Sequence, residues 1–92
     1  MAFARHYFED VAGLGNVAVS RHAQERAAQD HISEATFADV LQHAESVPDG
    51  AGVVTRERNG VRLVILERPE PFAGAKLVKT CFRVQAQAKA RR

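Results

Sequence analysis

The chain carries one cysteine, Cys81, in 92 residues, which excludes an internal disulfide framework. No apolar run approaches the roughly 20 residues that a membrane-spanning helix needs. The opening stretch MAFARHYFEDV places Glu9 and Asp10 where a secretion signal would hold its apolar centre, so no signal peptide is expected. Together these absences point to cytoplasmic work with no membrane partner. Familiar catalytic signatures are missing as well. There is no GxSxG elbow for a serine hydrolase and no GxxxxGK[ST] phosphate loop. His6, His22, His31 and His43 fall at no zinc-binding spacing, and Cys81 has no CxxC partner. No metal and no cofactor is therefore expected. Carboxylates stop early: from Lys76 onward the chain holds Lys76, Lys79, Arg83, Lys89, Arg91 and Arg92 and not one Asp or Glu. A basic end of this kind favours a polyanionic partner, most simply nucleic acid.

What remains is an ordinary globular composition, 46% hydrophobic and 26% charged, in a length with room for one core. A single domain over 1–92 is expected, with an N-terminal helical piece in 1–15, a core in 16–84 and a basic tail in 85–92. Phe3, Tyr7, Val11 and Leu14 stand at helical spacing and predict a first helix over 3–12, ended by Gly13 and Gly15. A short extended piece, Asn16–Val19, follows. Ser20 then caps a helix running to about His31, with Ala23 and Ala27 as its packing stripe. A further helix begins at Ser33, with Ile32 and Phe37 as its hydrophobic staple and Phe37, Val40, Leu41 and Ala44 as its apolar face. Pro48-Asp49-Gly50 ends it.

Beyond this point the period becomes two. Val53–Arg58 and Val61–Leu66 flank Asn59-Gly60, a dipeptide suited to the positive φ angles of a type I′ turn. A two-residue loop sets Arg58 opposite Val61, Arg56 opposite Leu63 and Val54 opposite Ile65, with Glu57 opposite Arg62 on the other face. ERPEPFAGA interrupts the sheet, and Lys76–Val84 returns as a third strand. Strict alternation sets Val78, Thr80, Phe82 and Val84 against Leu77, Lys79, Cys81 and Arg83. The predicted fold is α+β, with N-terminal helices packed on a three- to four-stranded antiparallel sheet.

Chemistry concentrates in SRHAQERAAQDHIS. His22 and Arg26 are four residues apart and share one helical face, with Glu25 beside them. An imidazole moves protons near neutral pH, and a guanidinium clamps phosphate. Phosphodiester cleavage needs both. Arg56 and Arg58 add charge if their hairpin face lies under the helix. Such pairs on an exposed helix are commonly a solvated polar face, and arginines near a hairpin turn commonly serve solubility.

The order S-R-H-A-x-x-R, an I-S-E-x-x-F helix, an R-x-N-G-V-R-L-V hairpin and a V-K-T-x-F strand resembles the RelE-like nucleases. More particularly it is similar to the phage and polymorphic-toxin branch of the barnase–EndoU–colicin–RelE superfamily, near the BrnT toxins, over residues 18–84. The resemblance implies a RelE-like fold whose sheet carries the active site on its open side. It also implies metal-independent cleavage of RNA by attack of the ribose 2′-hydroxyl, and a cognate antitoxin or immunity protein as partner. Carried over, His22 is the acid or base, Arg26 the basic residue one turn later and Thr80 the hydroxyl residue of the last strand. Lys79 is its basic neighbour, and Arg56 or Arg58 holds the phosphate; Arg83, in the same basic strand, is a further candidate RNA contact. The stacking aromatic that many such nucleases offer near their end has only Phe82 as a counterpart. A non-catalytic phage or toxin–antitoxin module that binds protein or nucleic acid fits the same residues, as does a structural phage subunit.

Overall fold

A computed structural model describes residues 6–68 and 75–84. Its element order is β1 (Tyr7–Val11), β2 (Gly15–Val19), α1 (Arg21–Gln29), α2 (Glu34–His43), β3 (Ser46–Pro48), β4 (Val53–Arg58), β5 (Val61–Leu66) and β6 (Lys76–Arg83). The strands form one six-stranded sheet in the order β1-β2-β6-β5-β4-β3. Neighbours run antiparallel except β2 and β6, which are parallel. Both helices lie on one face, where Ala23, Ala27, Phe37, Val40 and Leu41 join Phe8, Val17, Val54, Leu63, Ile65, Val78 and Cys81 in the core.

The expected three- to four-stranded antiparallel sheet with helices before it is thus corrected to a larger, mixed sheet whose first two strands precede the helices. The first predicted helix is a strand from Tyr7 onward; its residues 3–5 lie outside the described part, as does the tail 85–92. A bulge explains the difference. The register slips between Phe8 and Val11, and Asp10 takes φ 56°. An extra residue lets Phe8 and Val11, three apart, both face the core, which imitates a helical repeat. Gly13 and Gly15, at φ 81° and 80°, turn the chain between two strands and do not end a helix.

The two real helices follow their caps. Ser20 Oγ accepts the Ala23 amide at 3.0 Å, and Ser33 Oγ accepts the Thr36 amide at 3.1 Å. Ile32 and Phe37 are both buried, as the staple requires, and Phe37 meets Phe8 with ring centroids 6.0 Å apart. Helix α2 ends at His43, before the Pro48-Asp49-Gly50 stop, and Ser46–Pro48 forms a short edge strand on β4. The Asn59-Gly60 hairpin has the expected register throughout, from Arg58 opposite Val61 to Val53 opposite Leu66. Strand β6 departs from strict alternation: Ile65 pairs Val78 but Val64 pairs Thr80, so Lys79 is the extra residue of a second bulge. Val78 and Cys81, again three apart, both become buried.

Candidate functional site

Strand β2 pairs β6 only as far as Val19 opposite Val78. Helix α1 then takes over the vacated flank. The Ser20 amide donates to Val78 O at 3.1 Å, and Ser20 Oγ donates to Lys79 O at 2.9 Å. Further along, the Cys81 thiol donates to Ala23 O at 3.3 Å, and the Arg83 amide donates to Asp30 Oδ2 at 3.0 Å. These contacts advance together, so α1 runs beside β6 in the same direction and satisfies part of an otherwise open strand edge.

Arg26 reaches into this seam from α1. His22 is exposed in the first turn of α1. One turn later the Arg26 guanidinium stands over the Phe82 ring, 6.0 Å from its centroid, and Arg62 of β5 stands over the same ring at 5.9 Å. Both cations are tethered by carboxylates, Arg26 to Asp30 at 3.7 Å and Arg62 to Glu57 at 2.7 Å. Thr80 and Phe82 lie opposite Val64 and Arg62, so they share the sheet face turned away from the core. Among the described residues the Thr80 hydroxyl is buried with no hydrogen-bond partner. Lys79 is exposed at the bulge.

The other predicted residues are placed elsewhere or engaged otherwise. Arg56 is on the core face, 3% exposed. It donates to Ala12 O, to Leu41 O and to Ser46 Oγ, and burial among these neutral acceptors lowers its pKa. It binds three pieces of the fold together and has no surface left for a phosphate. Arg58 reaches the other way along that face to Asp39 of α2, at 2.9 Å. Arg83 spends its side chain on the C-terminal end of α1, donating to Asp30 O and His31 O at 2.9 Å each. Cys81 is buried, and that burial pushes its thiol up to about 11, so it is a packing residue and a poor nucleophile. An open groove of about 490 Å³ between the end of α2 and β4, edged by His43, Val47 and Arg58, also reaches Arg62.

The structure therefore separates the predicted residues. Arg26 reaches Phe82 from α1, and His22 is exposed one turn earlier on that helix. Thr80 lies on the sheet face away from the helices with Lys79 at the bulge, and Arg56 and Arg58 lie on the core face. Phe82, Arg62 and Asp30 join the seam without having been singled out as site residues. The Glu57–Arg62 pairing was readable from the hairpin register. The meeting of Arg26 with Phe82 was not, because it depends on α1 lying beside β6. Comparisons with protein-family models, curated proteins and solved structures give no match to this chain.

Proposed function

We propose that this chain is a metal-independent endoribonuclease of the toxin type that engages RNA along the α1–β6 seam in the cytoplasm. The observation that supports it is the Phe82 ring flanked by Arg62 of β5 and by Arg26 of α1, one helical turn from His22. Two guanidiniums held at one ring concentrate positive charge where a phosphate can be gripped. His22 takes the proton from the ribose 2′-hydroxyl as its oxygen attacks phosphorus, and the P–O5′ bond breaks. The products are a 2′,3′-cyclic phosphate and a 5′-hydroxyl, with His22 or solvent returning the proton to the leaving oxygen. Arg26 and Arg62 stabilise the charge that builds on the phosphoryl oxygens. Lys79, exposed at the bulge of β6, offers a further cation. A cognate antitoxin or immunity protein would act by covering this seam.

A second reading, a binding module without catalysis, draws on the commitment of Arg56 and Arg58 elsewhere, which leaves the hairpin without a phosphate clamp of its own on the core face. One experiment separates the two. Total RNA is incubated with purified protein in EDTA, beside a His22→Ala variant. Cleavage that disappears in the variant supports the nuclease, and binding without cleavage in the wild type supports the module.

A further inference from the structure

The helices cover one face of the sheet, and among the described residues no element packs on the other. That other face carries an apolar row where a solvated sheet face would be polar. Tyr7 lies opposite Ala18, Ala18 opposite Leu77, Leu77 opposite Leu66, and Leu66 opposite Val53. The result is an unbroken apolar row across β1, β2, β6, β5 and β4. Beside it runs a second row, Thr80, Val64, Thr55 and Val47. The two large hydrophobic side chains most exposed among the described residues, Tyr7 at 45% and Val47 at 57%, stand in these rows at opposite borders of the sheet. Scattered exposed hydrophobics are common on any protein, but a continuous row is the mark of an interface.

We propose that this face docks on the same face of a second copy of the chain, sheet against sheet, about a twofold axis. The pattern is complementary to itself. An apolar row turned over by a twofold axis meets an apolar row, as an isologous contact requires. The charged row, Glu57, Arg62 and Phe82, lies to one side, and its ion pair is already closed at 2.7 Å. Apposition buries no unpaired charge from it. The size is also suitable. Four strand spacings span about 19 Å and three rows about 14 Å; with side-chain margins the face reaches roughly 700 Å², near the ~800 Å² per partner of a stable interface. A net charge of +2 per chain opposes pairing only weakly. The charged row brings Arg62 and Phe82 to the border of the covered area, so pairing would cover the sheet side of the seam, and sedimentation without RNA reads the pairing on its own.

Sedimentation velocity from low to high micromolar concentration tests it, with Leu77→Lys and Leu66→Lys at the centre of the row and Tyr7→Glu at its border. All three replace side chains on the face away from the helices. The wild type should sediment with twice the 10.1 kDa chain mass at the upper concentrations. The central variants should sediment as monomers with an unchanged far-ultraviolet circular dichroism spectrum. Tyr7→Glu should weaken the dimer about tenfold or more, and it decides the matter if a lysine at the centre prevents folding. A wild type that remains monomeric throughout, or folded variants that dimerise as the wild type does, would overturn the proposal.

Discussion

The methyl group that Gly13 lacks would stand 2.9 Å from Nη2 of Arg56. That guanidinium nitrogen donates to the neighbouring carbonyl, Ala12 O, at 2.6 Å, so the turn between β1 and β2 is shaped around the arginine. Gly13 also sits at φ 81°, where a side chain is strained. Gly13→Ala should therefore destabilise the fold by about 1–2 kcal/mol, measured by urea denaturation.

Arg56 itself should be costly to remove and irrelevant to RNA. Arg56→Met strands the acceptors at Ala12, Leu41 and Ser46; we expect a destabilisation of about 3 kcal/mol. RNA affinity of the folded fraction should keep its salt dependence. Arg26→Ala and Arg62→Ala should do the reverse, with little change in stability and a salt slope shallower by about 0.7 for each phosphate the protein no longer neutralises. A salt slope that falls for Arg56→Met would return that residue to the binding surface.

His31 occupies the left-handed position after α1, at φ 57°. Ile32 donates to Ala27 O and His31 to Ala28 O, the paired bonds of a Schellman cap that glycine normally closes. Its side chain is exposed and its carbonyl, the part that Arg83 uses, survives substitution. His31→Gly should stabilise the protein by about 0.5–1 kcal/mol, seen as a higher Tm.

Cys81 makes stability fall in alkali. The folded thiol is held protonated up to about 11 by burial, with Arg26 opposing and Asp30 adding to the shift, whereas an unfolded thiol ionises near pH 8.5. Between these values the unfolded chain has lost its proton and the folded chain has kept it, so the stabilisation is complete below about pH 8.5 and is lost towards pH 11. Cys81→Ala should flatten stability over that window, measured by urea titration at a series of pH values.

Local rules explain which elements were legible in the sequence. Caps at Ser20 and Ser33 and the Asn59-Gly60 turn act within a few residues, and the hairpin register followed from them. Both bulges were hidden for one reason: an inserted residue puts Phe8 with Val11, and Val78 with Cys81, on one face at helix-like spacing. The parallel β2–β6 pair joins segments nearly 60 residues apart, which no local pattern announces. For the site, the i,i+4 spacing of His22 and Arg26 placed both on one helix face. The role of Arg56 was hidden because a buried arginine satisfied by carbonyls looks, in sequence, like any arginine of a hairpin.

The RNA reading turns on His22. Purified wild type and His22→Ala, both shown folded by circular dichroism, are incubated with total RNA in EDTA and the products are resolved on a gel with their end groups determined. The prediction is fragments ending in 2′,3′-cyclic phosphate from the wild type, with the rate lowered about 10²–10⁴-fold in the variant. Intact RNA with the wild type, or equal cleavage by both proteins, would contradict it.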